Sequence, residues 1–183
     1  MSGSIEIHGY AIVSRDDRIA GADGQTPDAL RNEADWAYFQ HGLDQADIVT
    51  LGRLGHEANP NPRGRRRLVL SRSTEGLERR PDAWWWNPER LPWTQASATL
   101  LPAGGRIAVP GGRDVFDLFL AIGYDAFHLS RAERVILGAG RALFSACERG
   151  LTAAAVLAGA GLRAGALQKL DPAADVTLTM WRR

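Results

Sequence analysis

The run Ile107-Ala-Val-Pro-Gly-Gly-Arg-Asp-Val-Phe-Asp-Leu-Phe-Leu120 constrains this chain more than any other stretch. It reads as a short apolar strand from Arg106 to Val109, then a tight turn at Gly111 and Gly112. An amphipathic helix follows, with Val115, Phe116, Phe119 and Leu120 at helical spacing. A strand feeding a helix in this way belongs to an α/β domain. The glycines let the backbone approach a ligand closely, and a helix N-terminus offers free N–H groups to an anion such as a phosphate. Paired glycines are also ordinary punctuation between a strand and a helix. An anion site and a plain turn therefore both remain open for this stretch alone.

At 183 residues and 45% hydrophobic, the chain can bury one good core, so residues 1–183 are expected to form one domain. A net charge of +1 argues against nucleic-acid binding driven by bulk electrostatics. The basic residues are unevenly placed, however. Six arginines fall from Arg53 through Arg72, which points to a local anionic ligand. Cys147 is the single cysteine, so neither an internal disulfide nor a multi-cysteine metal site is expected. The opening Met-Ser-Gly-Ser-Ile-Glu has no apolar signal region, and no apolar run nears the ~18 residues of a membrane span. The expectation is a cytoplasmic protein without a membrane partner.

Further elements follow from periodicity. Ile5 to Val13 alternates as a first strand, and Ser14 to Gly24 reads as a loop rich in Asp and Gly. Asp28 to Gly42 reads as a helix, with Asn32 as its N-cap and Trp36, Phe39 and Leu43 on one stripe. Asp35 shares a helix face with Phe39. Spacing alone favours a solvated Asp35 over a buried acid of raised pKa. Ala46 to Gly52 and Arg67 to Ser71 are the next strands. If they run parallel, Arg53 and the Ser71-Arg72-Ser73 segment share the rim where α/β ligands bind, as a phosphate clamp or as solvated surface. Trp84 to Trp86 reads as a strand whose tryptophans pack rather than stack on a ligand, and Pro92 to Leu101 as a short helix. Asp125 to Ser130 and Val135 to Leu137 read as strand material. Gly138-Ala-Gly140 lacks the third glycine of a dinucleotide fingerprint. Ala164 to Leu170 and Asp175 to Trp181 read as a closing antiparallel hairpin.

Taken together, the chain resembles dihydrofolate reductase and its wider superfamily along nearly its whole length. The resemblance rests on Asp17-Arg-Ile-Ala-Gly21 with Asp23-Gly24 and Pro27, on Asp35-Trp-Ala-Tyr-Phe39, and on Thr50-Leu-Gly-Arg53. It continues through Gly64-Arg65, Leu68-Val-Leu-Ser-Arg72, Val109-Pro-Gly-Gly112 with Val115-Phe116, and Phe127-His-Leu-Ser130. It implies an α/β fold with a mainly parallel central sheet of about eight strands, flanking helices and an antiparallel C-terminal hairpin. It implies NADPH as cofactor, a dihydrofolate or related pterin substrate, and a cis Gly111-Gly112 peptide. By the same resemblance Asp35 is the catalytic acid, with Ser130 beside it and Glu33 as a second candidate. Val13, Phe39, Arg65, Val109 and Phe116 would contact substrate, Arg65 through the carboxylate of its glutamate tail. Ala20, Gly52, Arg53, Leu54, Gly55, Ser71, Arg72, Ser73, Gly111, Gly112, Arg113 and Asp114 would contact cofactor.

Val135-Ile-Leu-Gly-Ala-Gly-Arg-Ala-Leu-Phe144 is more similar to the reductase domain of riboflavin biosynthesis. A ribosylamino-pyrimidine reductase is therefore the alternative activity, and a non-catalytic nucleotide-binding homologue the alternative class. Hydride transfer to a carbon–nitrogen double bond needs proximity, a proton source and exclusion of water, without a metal or a protein nucleophile. The residues named above suit that chemistry.

Overall fold

The computed structural model describes residues 3–183. In chain order its elements are β1 (Ile5–Ser14), β2 (Arg18–Gly21), a 3-10 turn (Asp28–Leu30), α1 (Glu33–Asp44), β3 (Ile48–Gly52), α2 (Arg53–Ala58), β4 (Arg67–Leu70), β5 (Leu77–Arg79), β6 (Trp84–Trp86), α3 (Trp93–Leu100), β7 (Gly105–Gly111), α4 (Arg113–Ile122), β8 (Ala126–Ala132), β9 (Gly140–Ala142), α5 (Ser145–Glu148), α6 (Ala153–Gly159), β10 (Arg163–Asp171) and β11 (Val176–Arg182). Nine strands form one sheet in the order β10-β11-β8-β1-β7-β3-β4-β6-β5, and β2 pairs with β9 apart from it. The six strands from β8 to β6 in that order run parallel. β10, β11 and β5 add antiparallel pairs at the two ends. The sheet is mainly parallel with an antiparallel C-terminal hairpin, as expected, but has nine strands rather than eight.

Alternation along the strands builds two cores. β1 sends Ile7 and Val13 to one face and Tyr10 to the other. On the first face, Ile107, Val109 and Leu68 meet Val115, Phe116 and Phe119 of α4 and Leu157 of α6. On the second, Tyr10, Val49, Leu51 and Ala108 lie under Leu43, Tyr38 and Phe39 of α1. The tryptophan strand is structural. Trp86 is fully buried, and its Nε1–H donates to the Leu91 carbonyl at 2.8 Å.

Three local expectations change. The helix expected from Asp28 begins at Glu33, because the Asn32 side chain accepts the Asp35 N–H at 3.0 Å and caps it there. The loop expected from Ser14 to Gly24 contains β2. Val135 to Leu137 is loop and not strand: the Asp16 carboxylate accepts the N–H groups of Leu137 and Gly138 at 3.0 and 2.8 Å, in place of a neighbouring strand. No helix among the described residues is long and apolar enough to cross a membrane.

Candidate active site

The parallel strands end on one edge, and the chain's chemistry gathers there. Ile12 of β1 pairs with Ser130 of β8, Leu51 of β3 with Gly111 of β7, and Gly52 of β3 with Leu70 of β4. Ser130, Gly111, Gly52 and Ser71 thus stand along an edge crossing β8, β1, β7, β3 and β4. Four strand spacings make this about 19 Å, long enough for a dinucleotide and a second ligand.

At the β8 end lies the acid. Asp35 is buried, and burial raises its carboxyl above the ordinary range, while the Ser130 hydroxyl beside it pulls the other way. Glu33, two residues earlier on α1, is exposed. The solvated Asp35 favoured by spacing alone is therefore corrected. α1 packs its Asp35, Tyr38 and Phe39 face toward the sheet, and a carboxylate on that face loses its water. Trp36 is 60% exposed, and its ring stands 5.5 Å from that of Phe39. Val13, Val109 and Phe116, expected to touch substrate, are instead fully buried core side chains.

Beside the acid runs a polar chain that the sequence reading had not singled out. The Tyr38 hydroxyl is 2.6 Å from His128 Nδ1, and His128 Nε2 is 3.2 Å from His8 Nδ1. Tyr10 stacks on the His128 ring at 4.3 Å. Burial pushes His128 down to about 3 and lowers His8, so both imidazoles are neutral near neutral pH. Nε2–H tautomers then satisfy both contacts: Tyr38 O–H donates to His128 Nδ1, and His128 Nε2–H donates to His8 Nδ1. The signal lay in spacing. Asp35 and Tyr38 are i,i+3 on a helix, and Ser130 and His128 are i,i+2 on a strand, so each pair shares a face.

The middle of the edge suits an anion. The Gly111–Gly112 peptide is cis, as the resemblance implied. Gly111 has φ 129°, and a Cβ there would meet the Phe116 ring at 3.3 Å. A Cβ at Gly112 would meet nothing within 4 Å, so the backbone before α4 is open to a close approach. Arg113 opens α4. Its Nε is buried without a hydrogen-bond partner, although Asp114 Oδ1 lies 3.5 Å away as a counter-charge. Arg18 Nε is likewise buried and unpartnered. Ala20 is buried in β2, opposite Arg141 of β9.

At the β4 end the clamp residues are adjacent in the sheet but engaged with carboxylates. Arg53 Nη1 donates to Glu57 at 3.0 and 3.1 Å, and Arg72 Nε to Glu89 at 2.9 Å. The Ser71 and Ser73 hydroxyls bond each other at 2.8 Å. Leu54 is 68% exposed, and Gly52 and Gly55 flank the start of α2 half-buried. Arg65 donates to Asp44 Oδ1 at 2.6 and 2.9 Å and to Gln40 Oε1 at 2.7 Å. It therefore stands at the far end of α1 from Asp35, about 13 Å along the helix axis.

No protein-family model and no curated protein sequence matches the chain. Solved structures do. A protein provisionally assigned to riboflavin biosynthesis, from Shewanella sp. PV-4, matches with TM-score 0.72 and 18% identity over 98% of this chain and 99% of its own. A diaminohydroxyphosphoribosylaminopyrimidine deaminase/5-amino-6-(5-phosphoribosylamino)uracil reductase from Thermotoga maritima matches with TM-score 0.69 and 15% identity, over 98% of this chain and 56% of its own. Dihydrofolate reductase from Enterococcus faecalis, complexed with NADP(H) and RAB-propyl, matches with TM-score 0.66 and 14% identity over 97% and 96%. The fold is the dihydrofolate-reductase-like fold that these proteins share.

Proposed function

We propose that the chain is an NADPH-dependent reductase acting on a carbon–nitrogen double bond of a planar heterocycle, 7,8-dihydrofolate or a related pterin. The observation that carries this reading is the buried Asp35 carboxyl beside Ser130, on the same sheet edge as the Gly111–Gly112 turn. The residues fit the cofactor. The unpartnered donors Arg18 Nε and Arg113 Nε, and the open backbone at Gly112, suit phosphate oxygens. Gly52, Arg53 and Ser71 to Ser73 extend that surface along the edge. Bound NADPH would supply the hydride. Asp35, protonated more readily than an ordinary carboxyl, would hold a proton near the ring nitrogen, with Ser130 orienting it. Phe39 and Trp36 would cover one wall with aromatic surface and exclude water.

A second reading is a riboflavin-pathway pyrimidine reductase, for which a specific observation speaks. Arg65, the residue that would take a folate tail, already engages its Nε and Nη2 groups with Asp44 and Gln40. The test is NADPH oxidation measured in parallel with dihydrofolate, a dihydropterin lacking the glutamate tail, and the ribosylamino-pyrimidine. Turnover of the first two alone supports the pterin reading, and turnover of the third alone supports the second. NADPH binding without any turnover would leave a nucleotide-binding homologue.

A further inference from the structure

One carboxylate occupies the middle of the candidate cofactor edge. Glu148, the last residue of α5, places Oε2 2.9 Å from Arg18 Nη1 and Oε1 3.4 Å from Arg113 Nη1. Oε1 also accepts the Ala142 N–H of β9 at 3.1 Å. These contacts hold its carboxyl below the ordinary range, the Ala142 N–H first and Arg18 next, so Glu148 is charged at neutral pH. Next to it is a cavity of about 250 Å3, lined by Gly21, Ala22, Gly24, Arg113, Gly140, Arg141 and Glu148. Arg113 and Arg141 line this space, and Arg18 reaches its edge through the bond to Glu148. Arg18 and Arg113 each keep a buried Nε–H without an acceptor.

Glu148 and the Gly140 carbonyl share Arg18 Nη1, Glu148 alone meets Arg113 Nη1, and both Nε groups are left unmet. The cluster thus holds more donors than one carboxylate can fill. An anion with several oxygens, a diphosphate, matches that surplus, whereas a monocarboxylate does not. The longest of the Glu148 contacts is the one to Arg113, the residue that opens α4 beside Gly112. A diphosphate entering the cavity therefore competes with Glu148 for Arg113 and leaves the shorter bonds to Arg18 and Ala142 in place.

We propose that Glu148 is a specificity-determining carboxylate at this site: it partly neutralises Arg113, so that only a multiply charged diphosphate takes the arginine from it. This rests on the cofactor reading above and adds Arg18, Arg141 and Glu148 to the residues that would meet the cofactor.

The test is calorimetric titration of the full chain with NADPH and, separately, with inorganic pyrophosphate and inorganic phosphate, at low and high salt. Glu148→Gln keeps an acceptor for the Ala142 N–H but removes the charge. It should tighten pyrophosphate and NADPH about three- to fivefold at low salt, and narrow the preference for pyrophosphate over phosphate. The same change made in an Arg113→Gln background should give no tightening, because the competing pair is already gone. Unchanged or weaker binding by Glu148→Gln, with wild-type NADPH affinity intact, would overturn the proposal alone and make Glu148 a scaffold for the arginines. Tightening that persists without Arg113 would overturn it too, in favour of a general charge effect. A wild-type chain and a Glu148→Gln variant that both bind neither pyrophosphate nor NADPH would remove the cofactor reading along with it.

Discussion

The His8–His128 pair, in which His128 is buried and His8 half-buried, predicts how the protein responds to acid. His128 is 7% exposed, stacked on Tyr10 and bonded to Tyr38. Its pKa is pushed from the ordinary 6.5 down to about 3, first by burial and then by the charges of His8, Arg182 and Arg106. The unfolded chain therefore takes up this proton well before the folded one does. Stability from a neutral His128 is complete near neutral pH and is lost as pH falls from about 6.5 toward about 3. At pH 4 the folded ring stays neutral about 2.5 pH units below the ordinary value. At about 1.4 kcal/mol per unit, that costs the fold about 3 kcal/mol. His8 is shifted the same way, while Glu6, Asp125, Arg106 and Arg182 around it carry charges of both signs. His128→Gln keeps a polar partner for Tyr38 and removes the titration. Urea unfolding followed by tryptophan fluorescence at pH 7 and pH 4 measures the difference. The wild-type protein should lose about 3 kcal/mol more than the variant over this interval, since the carboxylates titrate in both. Equal losses would refute the reasoning, because the pair would then be hydrated or already protonated in the native state.

Asp35→Asn should leave NADPH binding near normal and lower turnover by about 10²-fold, read by calorimetry and by NADPH oxidation. Burial raises the Asp35 pKa, so its protonated form, and with it wild-type activity, should decline as pH rises through that raised value, and the variant should lose this transition. Glu33→Gln, at an exposed position, should change neither; a reversal between the two variants would move the acid to Glu33. Arg65→Leu should raise KM for dihydrofolate by about tenfold or more and leave a tail-less pterin unaffected, whereas Asp44→Asn should lower KM by releasing Arg65. Loss on both substrates would make Arg65 structural. Arg53→Gln with Arg72→Gln should erase a preference for NADPH over NADH, measured as the ratio of the two Kd values. A wild-type ratio near one would show that the Glu57 and Glu89 pairs keep these arginines from the cofactor.

What the sequence made legible was whatever depends on local spacing. The apolar stripe of α4, the Gly111–Gly112 turn before it and the alternation of β1 each follow from neighbours within a few residues, and the structure places them accordingly. β5 escaped because Leu77-Glu-Arg79 has no alternation to read; it exists only because β6 offers it an edge. Asp35 shows the limit at the site itself. A carboxylate beside aromatics on a helix is solvated or buried according to what lies opposite, and for Asp35 that includes Ser130, more than 90 residues away in β8. Separation along the chain also hid two of the arginine pairs. Arg113 meets Glu148 and Arg65 meets Asp44 across 35 and 21 residues. In the cluster read from sequence as free positive charge, Arg53, Arg63, Arg65 and Arg72 each face a carboxylate in the fold, whereas Arg67 bonds His56 and backbone carbonyls. On the cofactor reading, anion affinity at this edge would be a difference between two negative partners. The identity of the carboxylates Glu57, Glu89 and Glu148 would then govern it as much as the arginines do.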